Sequence, residues 1–239
     1  MDSEVLIANR TNYPETYTGP NNIFSQLKII HNVFGLTTSQ SLKFASNLPE
    51  LPRNAEGWFA IPKVSAVANK FFPEITNSGE QYCKAVKFML EKLSKSQEFH
   101  MYNQEKMTPD HFRPNRHTQN FMENLESQQP GDVLIIPAQF GLLYEGKSIE
   151  KAREKFELNE NEFGLSTFAV SCMLLTHPNR FTDWQDLSVD APGDELAPEA
   201  DRNFSEVFNF CMGDWYLRAE SFPINVGKHH GAATGFTYN

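Results

Sequence analysis

The segment Asn161–Pro178, NEFGLSTFAVSCMLLTHP, constrains this chain more than any other. Asn161 is placed to cap a helix over Glu162–Thr176. Phe163, Leu165, Phe168, Val170, Met173, Leu174 and Leu175 then fall on every side of that helix. A helix with no wet face must be enclosed by other elements. The run falls short of the ~18–20 apolar residues a bilayer needs, so a protein core must enclose it. A second apolar block, Val133-Leu134-Ile135-Ile136, follows a turn at Gly131-Asp132 and ends at Pro137. Four apolar residues without alternation read as a strand covered on both faces. Twenty phenylalanines give the chain the rings to build such a core.

Other elements surround this centre. Ile23, Phe24, Leu27, Ile30, Val33 and Phe34 recur at helical spacing, and Gly35 stops the pattern. A short helix over Ser39–Ser46 completes a helical hairpin. Gly57–Ile61 reads as a strand and Lys63–Phe72 as a helix. Ser78 and Gln81 form a capping box before the stripe Tyr82, Ala85, Val86, Met89, Leu90, Leu93. Thr108-Pro109 reads as a cap with proline at the first helical position. Ser148 caps a charged helix through Phe156. Leu187–Val189 is a short strand. Val207–Cys211 and Trp215–Arg218 form a β-hairpin about Gly213-Asp214. Gly227–Gly235 reads as irregular. Helices come early and strands late, which predicts an α+β fold. It has a helical N-terminal part, a central buried helix and strand, and a C-terminal antiparallel β-hairpin. The boundary predicted is a helical extension over 1–50 and an α+β domain over 51–239.

The net charge of −9 disfavours general affinity for nucleic acid or anionic lipid. The start, Met1-Asp2-Ser3-Glu4, lacks the basic opening of a secretory signal. Cytoplasmic residence is therefore expected, in the host cytoplasm if the chain is viral. Cys83, Cys172 and Cys211 are odd in number and match no metal motif, so free thiols are expected. The seven histidines include no metal-binding pair at helical spacing. No metal and no cofactor are expected.

Four stretches, Glu56–Pro62 (EGWFAIP), Gly131–Gly141 (GDVLIIPAQFG), Asn161–Pro178 and Asp190–Glu195 (DAPGDE), carry a resemblance. Over about residues 50–200 the chain resembles a group of bacterial hypothetical proteins, to which no activity is attached. The group has a basic segment after QFGL. Here Leu143-Tyr144-Glu145-Gly146-Lys147 stands there, which puts an anion-binding role for the loop in doubt.

Three sets of residues are candidates for chemistry. Glu162, His177, Asp190 and Asp194 are the acids and imidazole that a hydrolase-like enzyme would use. One straight helix from Glu162 to His177 would hold those two over 20 Å apart. His177 at its end would be an imidazolium favoured by the helix dipole. Gln139 and Gly141 lie beyond the buried strand, where sheet proteins often bind ligands. The alternative is a tight turn with Gly141 at positive φ. Arg113, Arg116 and Lys147 would serve an accessory factor that contacts nucleic acid. No nucleotide-loop or nucleophile motif is present. The leading expectation is thus a non-catalytic intracellular recognition or structural protein, bacterial or phage in origin, with a protein partner.

Overall fold

A computed structural model describes residues 13–199, 201–213, 215–225 and 229–238. Residues 1–12, Asp214 of the expected hairpin turn, and residues 226–228, the last two from the expected irregular tail, lie outside the described residues. The helices are α1 (Ile23–Phe34), α2 (Ser39–Ala45), α3 (Val64–Phe71), α4 (Ser78–Ser96), α5 (Arg116–Gln128), α6 (Ile149–Leu158) and α7 (Thr167–Thr176). Strands β1 (Gly57–Pro62), β4 (Val133–Gln139), β11 (Thr234–Phe236) and β5 (Glu162–Gly164) form one antiparallel sheet in that order. The second sheet holds β10 (His230–Ala232), β6 (Ser188–Asp190), β7 (Asp194–Leu196), β8 (Glu206–Met212), β9 (Leu217–Pro223), β2 (Phe99–Met101) and β3 (Phe112–Pro114). The fold is α+β.

Every residue of α7 is buried. The helix packs against α4 and β1, as a rod without a wet face must. Leu27, Ile30 and Phe34 of α1 belong to the same hydrophobic cluster as Phe59, Ile135 and Phe168. The N-terminal helices therefore help to enclose the main core.

Five local expectations are corrected. The central helix starts at Thr167 rather than Glu162, capped by the Ser166 side chain on Ala169 N–H. Gly164 disfavours a helix, and residues 162–164 pair with β11 instead. The cap of α4 is Asn77, whose side chain accepts from Glu80 N–H at 3.0 Å, and Gln81 turns away to the Ile75 carbonyl. Thr108-Pro109 opens no helix; β3 follows it, and α5 starts at Arg116 under an Asn115 cap. Pro137 lies inside β4 rather than ending it. On that edge of β4 the Gln129 side chain bonds both the N–H and the carbonyl of Ile135, at 2.8 Å each. Pro137 comes between this substitute and the short β11 ladder, where no ladder donor is needed. Lastly, residues 230–232 and 234–236 are strands rather than irregular tail.

Those last two strands join the sheets. β10 runs parallel to β6 in one sheet, and β11 lies between β4 and β5 in the other. Ala233 between them donates to Asp190 O and accepts from Leu165 N. The crossing needs two glycines. A Cβ on Gly141, whose φ is +122°, would lie 2.5 Å from the Gly231 carbonyl oxygen, and one on Gly231 would lie 2.3 Å from that of Gly141.

Strands β6 and β7 run in sequence along one edge of β8, separated by Ala191-Pro192-Gly193. The hairpin partner β9 takes the other edge. Phe208, Phe210, Val189, Leu217 and Ala219 face the main core. The opposite face is covered only in part. α6 seals one end of it, packing Ile149, Ala152 and Phe156 with Val207 and Ala232. The other end is open.

Candidate functional site

The open end is a pocket of about 350 Å³ whose walls include Ser188, Asn209, Cys211, Arg218, Glu220 and His230. Side chains directly paired across strands share a face. Pairing places His230 beside Ser188, Cys211 beside Arg218, and Arg218 beside His100. Val189 pairs with Phe210, so the next step sets Ser188 beside Cys211. A row of polar or thiol side chains thus crosses five strands. In the adjacent row, Asp190, Asn209 and Glu220 stand side by side.

The centre of this face is a polar triad of buried Asp190 and Asn209 with half-buried His230. Asp190 Oδ1 accepts from Asn209 Nδ2 at 2.9 Å and lies 3.1 Å from His230 Nδ1. A carboxylate only accepts, so Nδ1 carries the proton toward it. Phe222 lies against the His230 ring, tilted by 33° with 4.3 Å between centroids. Burial pushes the Asp190 carboxyl up, and the His230 hydrogen bond works against that rise. Asp190 Oδ2 and Asn209 Oδ1 are buried and have no hydrogen-bond partner among the described residues. Arg218 donates from Nε to Cys211 Sγ at 3.0 Å and reaches Glu220 at 3.3 Å through Nη2. Burial holds the Cys211 thiol up despite the Arg218 guanidinium.

Aromatic side chains border the opening. Trp184, 67% exposed, lines the pocket. Its loop is shaped by Asp186, whose Oδ2 accepts from Thr182 N at 2.6 Å and Asp183 N at 2.8 Å. Asp183 adds a second local bond, its Oδ1 accepting from Gln185 N at 2.9 Å, so two acids of the 183–201 stretch shape this loop. Tyr216 lines the opposite wall, its hydroxyl 3.4 Å from that of the exposed Tyr102.

The four acid/imidazole candidates from sequence do not converge, since each is bound to different partners. Glu162 faces Asn159, Tyr144 and Thr234, and burial raises its carboxyl. It lies on β5 and not on the straight helix that was expected to hold it over 20 Å from His177. His177 is buried; Nδ1 lies 2.8 Å from Met173 O and Nε2 accepts from Asn21 N at 2.9 Å. Burial lowers it to about 4, so it is neutral rather than the imidazolium expected at a helix end. Asp194 accepts from Tyr82 Oη and, at 2.5 Å, from Thr167 N at the start of α7. Burial lifts it to about 6 against the pull of those bonds. Asp190 alone of the four touches the open pocket's wall, through its bonds to Asn209 and His230.

Gln139 and Gly141 form a self-contained turn. The Gln139 Nε2 donates to Ala232 O and Thr234 Oγ1, and its Oε1 accepts from Gly141 N. Arg113 is paired with Glu195 at 2.7 Å and lies 3.7 Å over the Phe204 ring. Arg116 opens onto the same wide basin, which also contains Glu157 and Glu195. Lys147 precedes α6 while Glu157 is near its far end, about 15 Å away along the helix. Acids thus interrupt any basic path from Arg113 to Lys147. Among the described residues no group of three or more His, Cys, Asp or Glu could hold a metal ion, and no helix is long and apolar enough to cross a membrane.

No family model matches the chain, and no curated protein or solved structure matches it. Sequence reading had not assigned Asn209, Arg218 or Trp184 to a site. Their signal was present in part: Asn209 and Cys211, then Arg218 and Glu220, are the period-two polar positions of the hairpin.

Proposed function

We propose that this chain is a recognition protein that binds through the open face of its second sheet. The observation that carries this reading is the row of side chains from β10, β6, β8, β9 and β2, left uncovered where α6 ends and bordered by Trp184 and Tyr216. Sheet faces are normally covered by apolar packing or left as plain wet surface. This one is concave, has a buried polar floor and is bordered by aromatic rings, as small-ligand sites are. We place the protein in a cytoplasm, bacterial or that of a phage-infected host, with a protein as the partner that presents the bound group.

The hydrolase-like alternative has one foothold, the His230–Asp190 pair, since an imidazole backed by a carboxylate can take a proton from water. A covalent nucleophile is missing from that picture, because burial keeps the Cys211 thiol up. Recognition without turnover accounts for the same groups.

The test is a melting-temperature screen of the full chain with small amines, carboxylates, sugars and nucleosides, repeated on Trp184→Ala and Arg218→Ala. At least one class should raise the wild-type Tm, and both variants should blunt the rise. A screen in which no class acts, or in which both variants respond as the wild type does, would overturn the reading.

A further inference from the structure

The recognition reading leaves the bound group unspecified, and the pocket floor narrows it. We infer that the pocket takes an organic cation: a primary ammonium group on an aliphatic stem. This rests on the recognition reading and deepens it.

The first observation is an excess of acceptors. Asn209 lines the pocket with its Oδ1 buried, and Asp190 Oδ2 belongs to the carboxylate behind it. Both residues are only 1% exposed, and neither atom has a hydrogen-bond partner among the described residues. Unpaired buried acceptors cost stability until a donor arrives. The amide orientation is fixed, because Nδ2 must face the Asp190 carboxylate, and Oδ1 is thereby turned from it. An anion would bring more acceptors to this floor. An ammonium brings three donors and a charge that answers Asp190.

The second observation is the aromatic lining. Trp184, Tyr216 and Phe222 all border the pocket, and a cation gains from ring faces as it leaves water. The one guanidinium in the wall, Arg218, is already paired with Glu220, so its charge is offset. The net charge of −9 favours approach of a cation from a distance. At about 350 Å³ the space admits the end of a lysine side chain or a short diamine rather than a folded segment.

The test is isothermal titration of the full chain with three probes. They are Nα-acetyl-lysine methylamide, its uncharged counterpart Nα-acetyl-norleucine methylamide, and 1,4-diaminobutane. At least one charged probe should bind, and norleucine should bind tenfold more weakly or not at all. Tighter binding of the lysine derivative identifies a peptide side chain as the source, and tighter binding of the diamine a free amine. Asn209→Leu should abolish binding. Asn209 is buried, so Trp184→Ala and Glu220→Gln provide independent variants nearer the surface, each expected to weaken binding about tenfold. Equal binding of norleucine, or no binding of either charged probe, overturns the cation. If a carboxylate, sugar or nucleoside then binds in a Trp184-dependent way, recognition stands and only the ligand class fails. If nothing of any class binds, both fail together.

Discussion

His177 and Asp194 mark the two ends of α7, and each is placed where water cannot reach it. Neutral His177 accepts the Asn21 amide and so fastens the segment before α1 to the core. Its value in the fold, about 4, is below the ordinary 6.5. Its contribution to stability is therefore full above pH 6.5 and is lost as pH falls toward 4, amounting to about 3 kcal/mol. Asp194 has the opposite sign. Its value of about 6 exceeds the ordinary 3.8, so its contribution is greatest below pH 3.8 and is lost as pH rises toward 6, again about 3 kcal/mol. Denaturant unfolding across pH 4–7 checks both. Relative to His177→Gln, the wild type should lose about 3 kcal/mol on going down that range. Relative to Asp194→Asn, it should lose about 2 kcal/mol on going up, the remainder of the effect falling below pH 4. A difference that is flat with pH in either pair would mean that the group is better solvated than its burial implies.

The elements that carry the core were legible before the structure; the joints between them were not. The apolar circumference of residues 163–175 and the unbroken run 133–136 announced a buried helix beside a buried strand, because no other packing hides such surfaces. Phe168 is 1% exposed, and Phe168→Ala should cost about 3–5 kcal/mol in equilibrium unfolding. A loss below about 1 kcal/mol would make α7 peripheral. The start of α7 was misread because Asn161 and Ser166 both suit a cap, and only the partner strand β11 decides between them. The tail was misread for a similar reason. His230–Phe236 has little strand propensity of its own and is held by distant partners in both sheets. Gly231 is the sharpest check of that arrangement. Gly231→Ala would drive a methyl group into the Gly141 backbone, and should lower stability by about 2–3 kcal/mol, read by thermal and denaturant unfolding. An unchanged Tm would show that the tail does not cross between the sheets as described.

At the scale of the whole molecule, the two sheets have different roles. The first sheet and α7 are buried and carry the fold. The second turns one face to that core and leaves half of the other open, because α6 reaches only as far as Val207 and Ala232. Asp190 was a candidate from sequence, as an acid in a distinctive stretch. Its partners were not legible, since Asn209 and His230 are brought to it by strand register alone. Gln139 and Gly141, weighed from sequence as a ligand loop beyond the strand or a tight turn with Gly141 at positive φ, form a turn at the joint between the sheets. The most direct test of recognition at the open face is nuclear magnetic resonance mapping of the full chain titrated with Nα-acetyl-lysine methylamide. The account predicts that the Asn209 side-chain amide, the Trp184 indole and the amides of Cys211 and Arg218 move together, while Arg113, Arg116 and His117 stay still. An unmoved spectrum, or movement concentrated in the Arg113–His117 basin, would contradict it.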